Sequence, residues 1–522
     1  MAKLGMGPFG NPDGSRATIE QVLEGFVNFG SETVWSGLAT RANDRTARVI
    51  VGRKGSGKTV YLRRLQADAS LEESLYADAI QQGIPSTECI IRFCQLFPSN
   101  VLVGKWVELW RLAILRSVVS HLLHSPRLKY MVPVTTTNDL KSGFNNILRS
   151  EFRTPVSAYS QVTQIIETND TAKKVKSYFN DPLWDQLEWT IAEGIKNCPP
   201  LCFYIDAIDE EFEHAPMYWL KCQLGLFYQT MRMLRDSKLG GRLHVFICIR
   251  DLVLSSVLQS EHRTRYVDEP HVRILNWNRD AIRHLLIKKV EMLDDEFFIN
   301  DTKRGKTLRN WLGRETLNNT ARKIEEPVDQ YLLRHTRLLP RDIIVLGNSL
   351  CAEISKAKRA GTEVSIEALI RRAVAETARL FGNEQLTICG NQITSNSMPS
   401  EAGRYGFSEV YTGDKEYIRG ATDNLKTLIA AIGKDRFSGE ELHSSRKLAD
   451  ELFGNESDPY SVLWQNGLLG YTEGRGKQKR AIFFSEEQMD DFQLPLNKQQ
   501  YVFHSCLIDS VNLKGVGKTP II

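Results

Sequence analysis

One short segment, GRKGSGKT at Gly52–Thr59, constrains the fold more than any other part of this sequence. It follows ARVIV, a β-branched run that indicates a strand, and it precedes TVYLRRLQADA, whose apolar spacing predicts a helix. A strand, a glycine loop and a helix in this order satisfy the pattern GxxxxGK[ST] in its required structural context. The segment therefore predicts an α/β domain of the P-loop kind.

The residue types in this loop suit a phosphate chain. Glycines let backbone N–H groups turn inward toward phosphate oxygens, and the following helix points its positive end at the same place. We expect Lys58 to neutralise the β- and γ-phosphates and the Thr59 hydroxyl to bind Mg²⁺. The predicted cofactor-binding residues are Gly52, Lys54, Gly55, Ser56, Gly57, Lys58 and Thr59. A similar string, GVGKT at 515–519, has Asn512 at the first glycine position and Pro520 directly after it, so we interpret it as tail.

A second apolar run, LCFYID at 201–206, ends in a carboxylate. Ligands of open parallel sheets bind outside the carboxyl ends of the strands, so we expect Asp206 to hold Mg²⁺ directly or through water. Hydrolysis also requires a residue that orients the attacking water. Glu210 is the first candidate and Asp209 the second. An acidic loop that only caps the next helix is the alternative for Glu210.

Arginines near the predicted sheet edge are further candidates. Arg250 follows the apolar run VFICI, where it would either reach a γ-phosphate or form a surface salt bridge. Arg341, in RLLPRD, follows Pro340 at a predicted helix start and could fold back over the nucleotide. Arg263 and Arg265 are either arginines that act across a subunit boundary or ordinary exposed side chains.

Hydrophobic spacing predicts alternating strands and helices, and hence a parallel sheet with helices on both faces. The runs expected as further strands are 89–97, 242–251 and 271–277. The predicted parts of the chain are an N-terminal extension (1–45), a P-loop core (46–278) with a helical insertion (about 105–197), a helical lid (279–381), a linker or exposed loop (382–415) and a small α+β domain (416–522).

Composition indicates an ordinary soluble protein. The 522 residues carry a net charge of +4, which is too balanced to indicate nucleic-acid binding by the whole chain. The nine cysteines form no CxxC pair, and several lie in apolar runs, as buried thiols in a reducing compartment do. The sequence has no apolar run long enough to span a membrane and no secretory signal, so we expect a cytoplasmic protein that does not bind membranes.

Taken together, GRKGSGKT, YIDAIDE, ICIRD, LNW and LLPRD resemble bacterial P-loop ATPases of the STAND/KAP group, within the AAA+-like class. The resemblance covers about residues 40–380. Asp206, Asp209 and Glu210 match the D-x-x-D-E pattern of that group, whereas Ala207 departs from the adjacent Asp-Glu of simple AAA+ enzymes. The resemblance implies a nucleotide-sensing role for Arg341, a sensor 1-like role for Arg250, and ATP with Mg²⁺ as cofactors.

The same resemblance implies a molecular switch. Such ATPases couple ATP binding and hydrolysis to self-association or control of a partner, often in prokaryotic anti-phage defence. The chain has no recognisable nuclease, protease or TIR-like constellation, so an effector would be a separate protein or a property of the assembly. No guanine-reading NKxD motif is present, which agrees with ATP. A nucleotide-binding scaffold without turnover is an alternative.

The C-terminal segment, with YSVLWQNGLLGY at 460–471 followed by a predicted hairpin at 467–485, resembles a winged-helix domain. Its wing carries a basic cluster that would contact DNA phosphates or lie in a solvated turn of a protein-packing domain. The cluster comprises Arg475, Lys477, Lys479 and Arg480. DNA contact would make the chain an ATP-dependent DNA-binding regulator or loader that resembles origin-recognition ATPases. His504, in an apolar stretch, is predicted to be a core histidine.

Overall fold

The computed structural model describes most of the chain. The described residues are 7–16, 22, 26, 47–80, 85–148, 152–206, 212–239, 241–303, 305–319, 324–360, 365–395, 401–407, 415–455, 457–474, 480–484 and 492–516. They form two compact units, each treated separately below. The core unit comprises Gly30–Gly52 and Lys58–Ile274, and the C-terminal unit comprises Met1–Phe29, Arg53–Gly57 and Leu275–Ile522.

The core unit is built on a five-stranded parallel sheet. Its strands are β1 (Val49–Val51), β2 (Tyr76–Ala77), β3 (Leu201–Asp206), β4 (Leu243–Ile249) and β5 (Val272–Ile274). Their order is β2-β3-β4-β1-β5. Strand β4 is buried along its whole length, as an apolar run covered on both faces should be. The predicted α/β class with a parallel sheet is confirmed.

The strand order places a topological switch point between β1 and β4. These strands are neighbours, with Ile50 opposite Cys248. The connection after β1 leads to β2 at one edge of the sheet, whereas the connection after β4 leads to β5 at the other edge. Open parallel sheets bind ligands outside the carboxyl ends of strands at such a point. Gly52 and Arg250 directly follow these two strands.

Helices make up the rest of the core unit. They are α1 (Lys58–Leu71), α2 (Thr87–Gln95), α3 (Ser99–His124), α4 (Val134–Ser142), α5 (Asn145–Leu148), α6 (Ala158–Thr168), α7 (Ala172–Phe179), α8 (Leu183–Ile195), α9 (Pro216–Leu234), α10 (Asp251–Leu258) and α11 (Arg263–Tyr266). Helices α3 and α9 pack closely. A Cβ at Gly225 would lie 2.3 Å from the Cβ of Trp106, so only glycine fits at this crossing.

The strand predicted at 89–97 is wrong, because this segment forms helix α2. The Ser86 hydroxyl accepts a hydrogen bond from the Cys89 N–H at 3.2 Å and caps the helix. Cys89, Ile90, Phe93 and Cys94 are buried, which is the spacing of one helix face rather than of a strand. A short apolar run does not distinguish the two by periodicity alone.

The C-terminal unit combines helices with two small sheets. Its elements are α12 (Arg279–Glu291), α13 (Leu308–Leu312), β6 (Thr316–Asn319), β7 (Ile324–Pro327), α14 (Val328–Arg334), α15 (Pro340–Ala360), α16 (Ile366–Thr394), α17 (Ala402–Tyr405), α18 (Lys415–Ile432), β8 (Arg436–Ser438), α19 (Gly439–Phe453), α20 (Pro459–Gln465), β9 (Leu469–Glu473), β10 (Arg480–Ile482), β11 (Gln500–Phe503) and α21 (Cys506–Val511). Strands β6 and β7 form an antiparallel ribbon, and the other four form an antiparallel sheet in the order β10-β9-β11-β8. The ribbon interrupts the region 279–381, which was expected to be helical. The hairpin predicted at 467–485 is present as strands β9 and β10.

The glycine- and asparagine-rich segment from 382, expected as a linker or loop, is helical as far as Thr394. Its glycines mark close packing instead of a chain break. A Cβ at Gly382 would lie 2.8 Å from the Cys506 carbonyl oxygen, and one at Gly390 would lie 2.4 Å from the Thr422 hydroxyl. Tertiary contact therefore overrides the low helix propensity of glycine here.

Two buried polar side chains of the C-terminal unit, Asp342 and His504, have specific hydrogen-bond partners. Asp342 accepts hydrogen bonds from the Arg337 backbone N–H at 2.9 Å, from Nε at 3.0 Å and from Nη2 at 2.7 Å. His504 is buried, and its Nδ1 accepts from the Cys506 N–H at 3.2 Å. Burial and the nearby Arg337 lower the pKa of His504 to about 4. The prediction of a core histidine is confirmed.

The state of the cysteines agrees with the expectation of buried thiols. All nine cysteines lie within the described residues, where they are buried and form no disulfide. Within the same ranges, no helix has the length and apolar character that a membrane span requires.

Candidate functional site

The first part of the site lies at the carboxyl end of β1 in the core unit. The Gly52 N–H donates to the Ile249 carbonyl oxygen of β4 at 3.3 Å, which joins the start of the loop to the neighbouring strand. Lys58 begins helix α1, and its Nζ donates to the Gly52 carbonyl oxygen at 2.9 Å. Only 4% of Lys58 is exposed. The ammonium group is therefore already held over the first residue of the loop.

A hydroxyl and a carboxylate meet beside this lysine. The Thr59 Oγ1 donates to Asp206 Oδ2 at 2.6 Å, across 147 residues of sequence. Asp206 is the last residue of β3, and its carbonyl oxygen accepts a hydrogen bond from the Tyr159 hydroxyl at 2.7 Å. The structure thus brings together the two residues predicted to bind the metal. Tyr159, which fixes the end of β3 from helix α6, was missed by sequence reasoning.

The donor set at this pair suits Mg²⁺. Magnesium prefers oxygen ligands and is commonly held by one or two carboxylates together with substrate phosphates and water. Thr59 and Asp206 supply a hydroxyl and a carboxylate. Within the described ranges, no cluster of three His, Cys, Asp or Glu side chains offers an all-protein metal site. The pair fits a metal that arrives with a phosphate ligand.

The middle of the loop, Arg53–Gly57, belongs to the C-terminal unit. Gly55 and Gly57 have φ angles of +86° and +89°, which non-glycine residues rarely adopt. The Ser56 carbonyl oxygen accepts a hydrogen bond from the Trp277 Nε1 at 2.8 Å. Sequence reasoning identified the strand before Trp277 but gave its indole no role. The loop conformation is thus set by two glycines and one indole donor.

Arg341 also contacts this segment. Its backbone N–H donates to the Gly55 carbonyl oxygen at 3.3 Å, and a Cβ at Gly55 would lie 3.2 Å from the Arg341 Cβ. The Arg341 guanidinium forms an ion pair with Glu384 of helix α16 at 3.4 Å. The structure therefore places Arg341 against the glycine loop. Its carboxylate partner could not be inferred from the sequence.

Arg250 is buried in the core unit, so it does not form the surface salt bridge considered as its alternative. Its Nη1 lies 3.8 Å from Glu213 Oε1, and its guanidinium carbon lies 5.1 Å from the centre of the Phe212 ring. The Arg250 backbone N–H donates a hydrogen bond to Gln223 Oε1 at 3.2 Å. Glu213 was missed, although it stands in the acidic run that follows Asp206.

The remaining candidates either lie outside the described residues or are exposed. Asp209 and Glu210 lie outside the described residues, as do Arg475, Lys477 and Lys479. Arg480 begins strand β10 and is exposed. Arg263 and Arg265 are exposed on helix α11. The roles of all these residues, including DNA contact at the wing, stay predictions.

No family model matches the chain. No curated protein matches it either. The resemblance to STAND/KAP ATPases and to winged-helix domains therefore rests on the motifs quoted above.

Proposed function

We propose that the chain is a P-loop ATPase that binds ATP with Mg²⁺ and uses hydrolysis as a molecular switch. The observation that carries the proposal is the 2.6 Å hydrogen bond between the Thr59 hydroxyl and the Asp206 carboxylate. These groups come from the helix after the glycine loop and from the end of a separate buried strand. Their convergence beside Lys58 is what a phosphate-linked metal site requires.

Each residue has a task that its position supports. Lys58 would exchange its bond to the Gly52 carbonyl oxygen for phosphate oxygens, since both are acceptors within its reach. Backbone N–H groups of the glycine loop would bind the phosphate chain. Thr59 and Asp206 would hold Mg²⁺, which when bound neutralises charge that develops on the phosphates. Glu210 or Asp209 would orient water.

The proposed switch rests on the contact between Arg341 and the loop. A phosphate chain that draws the loop amides inward would reorient the Gly55 peptide group. The carbonyl oxygen of this group accepts a hydrogen bond from the Arg341 N–H. Helix α15, which begins at Pro340, would then report the nucleotide state to the rest of the C-terminal unit. By family resemblance, we extend this proposal to self-association, to control of a separate effector and to a role in prokaryotic defence.

Substitutions at Thr59 test the metal site. Thr59→Val keeps the side-chain shape but removes the hydroxyl, so we expect the Mg²⁺-dependent gain in ATP affinity to fall by roughly 10-fold or more. Binding measured in EDTA should change little. Thr59→Ser retains the hydroxyl and serves as the matched control. Titration calorimetry with and without Mg²⁺ provides the measurement, and an unchanged Mg²⁺ effect in Thr59→Val would refute the assignment.

Glu210→Gln tests turnover separately from binding. We expect phosphate release to drop by about 100-fold or more while ATP remains bound, since the amide cannot orient water as the carboxylate does. Size-exclusion chromatography with ATP should then show a persistent ATP-bound assembly. Asp209→Asn is the comparison for the second candidate. If neither variant alters phosphate release or assembly, the chain is a nucleotide-binding scaffold without turnover.

A further inference from the structure

The last residues of β3 have a strand neighbour on one side only. Within the described residues, β2 pairs with Leu201 and Cys202 alone, whereas β4 pairs with the whole of Leu201–Asp206. Residues 203–206 therefore extend beyond the end of β2. Asp206 is the last residue of this extension, and its carboxylate accepts a hydrogen bond from the Thr59 hydroxyl at 2.6 Å. The proposed metal ligand thus stands on the part of the strand that β2 does not support.

A tyrosine from helix α6 supports this end of β3. The Tyr159 hydroxyl donates to the Asp206 carbonyl oxygen at 2.7 Å, so the carbonyl oxygen and the carboxylate of Asp206 have separate donors, Tyr159 and Thr59. Because the peptide unit is planar, a hydrogen bond that fixes its carbonyl oxygen limits the direction of the Asp206 Cα–Cβ bond. Tyr159 can therefore set where the carboxylate points without touching a metal.

Tyr159 is itself held in place. Only 2% of it is exposed, and its ring packs edge-on against Trp110 with the ring centroids 5.5 Å apart. The Trp110 Nε1 donates to the Cys222 carbonyl oxygen at 3.0 Å, which ties this aromatic pair to helix α9. A side chain that packing already holds loses little further freedom when it forms a hydrogen bond. The hydroxyl is therefore preorganised for the Asp206 carbonyl oxygen.

Helix α3 fixes the chain just before helix α6. The Ser117 hydroxyl donates to the Val156 carbonyl oxygen at 2.7 Å, and the Val156 N–H donates to the Ser120 Oγ at 2.8 Å. Tyr159 follows three residues later, in the first turn of α6. The helical insertion thus reaches the end of β3 through Tyr159.

We propose that Tyr159 is a positioning residue of the metal site, through which the helical insertion (about 105–197) sets the affinity for Mg²⁺ bound with a nucleotide. This role rests on the proposed function, since Asp206 would bind the metal and Tyr159 would only hold Asp206 in the conformation that binds it. Groups that orient a metal ligand change the metal affinity by about 10- to 100-fold when they are removed. A hydroxyl that only stabilised the fold would leave that affinity unchanged.

The test is Tyr159→Phe in the full chain, which keeps the ring against Trp110 and removes the hydroxyl. We expect the Mg²⁺-dependent gain in affinity for the β,γ-imido analogue of ATP to fall by about 10-fold. Binding of the analogue in EDTA should stay unchanged. Titration calorimetry with and without Mg²⁺ measures both. Tyr159→para-aminophenylalanine puts an N–H donor at the same ring position and should restore most of the gain, so a folding defect in Tyr159→Phe does not decide the result.

The control removes a comparable hydroxyl elsewhere in the insertion. Tyr178 is buried in helix α7, and its hydroxyl donates to the Ile147 carbonyl oxygen at 2.6 Å. Tyr178→Phe should lower the melting temperature, since a buried hydrogen bond is lost, yet keep the Mg²⁺-dependent gain. Tyr501→Phe, which removes a donor to the Pro495 carbonyl oxygen in the C-terminal unit, is a second control. The proposal is overturned if Tyr159→Phe keeps the gain, or if the control variants lose it to the same extent.

Asp206→Asn separates the role of Tyr159 from the proposed ATPase. If Asp206 binds the metal, this substitution should remove most of the Mg²⁺-dependent gain on its own. Adding Tyr159→Phe should then lower the gain further by less than about twofold, because Tyr159 acts through a carboxylate that is already missing. A gain that Asp206→Asn leaves intact refutes the proposed metal site, and the role of Tyr159 with it. A gain that Asp206→Asn removes and Tyr159→Phe keeps refutes only the role of Tyr159.

Discussion

Replacing Lys58 with alanine is expected to abolish ATP binding, with an affinity loss of about 100-fold or more and little change in folding. Lys58 begins helix α1 and is buried, and its ammonium group lies 2.9 Å from the Gly52 carbonyl oxygen. It is therefore preorganised to neutralise phosphates, and hydrogen bonds to charged groups are among the strongest in proteins. Calorimetric titration with ATP and Mg²⁺ measures the effect.

The sequence offers a matched control for this experiment. Lys518 lies in GVGKT at 515–519, which also ends in Gly-Lys-Thr. This segment has Asn512 at the position of the first glycine of the pattern. Lys518→Ala should bind ATP as the unmodified chain does. Circular dichroism and the melting temperature check that Lys58→Ala is folded. An affinity within threefold of the unmodified chain would remove the glycine loop from the binding site.

The largest expected loss of stability comes from Asp342→Ala. This substitution leaves the Arg337 guanidinium buried and removes the acceptor of three hydrogen bonds. Breaking one partner of a buried ion pair costs about 3–5 kcal/mol in the free energy of unfolding. Chemical denaturation measures it. The double variant Asp342→Ala with Arg337→Met should be less destabilised than Asp342→Ala alone, because no buried charge is left behind.

An exposed ion pair provides the comparison. Glu315→Ala removes the partner of Arg309, whose side chain is 67% exposed, and should cost less than about 1 kcal/mol. If Asp342→Ala is as mild as Glu315→Ala, then the buried pair does not stabilise the segment that carries Arg341. A double variant less stable than the single one would also contradict the argument.

Acid should weaken the same pair. Burial alone would raise the pKa of Asp342, but the charge and hydrogen bonds of Arg337 outweigh it, so the pKa is lowered. A carboxyl whose folded pKa is below its unfolded value of about 3.9 stabilises the protein above that value. This stabilisation is lost as the pH falls through the folded pKa. Asp342→Asn should therefore show a shallower loss of stability in strong acid than the unmodified chain.

Local patterns predicted much of the core unit. Strands β3 and β4 were recognisable as continuous apolar runs because both faces of a parallel sheet are covered. The glycine loop was recognisable because its glycines, its lysine and its flanks each follow from phosphate chemistry. The meeting of Thr59 with Asp206 agrees with the sequence prediction that both residues bind Mg²⁺.

Long-range contacts account for what sequence reasoning missed. Helix α2 resembles a strand in composition. Its helical conformation is shown by the spacing of its buried residues and by the Ser86 N-cap. Trp277 donates a hydrogen bond to the glycine loop, while Glu213 and Glu384 form ion pairs with Arg250 and Arg341. Each of these three residues is distant in sequence from its partner, so its role depends on the tertiary fold. No spacing rule gives such partners.

Helix α16 has a mechanical consequence. Its 29 residues rise about 43 Å. It packs against α15 toward one end and against α18, α20 and α21 farther along. Glycines at 382 and 390 bring its backbone nearly into van der Waals contact with these neighbours. Helix α16 is therefore a continuous, rigid connection between α15 and the helices α18, α20 and α21, through the segment where a linker was expected.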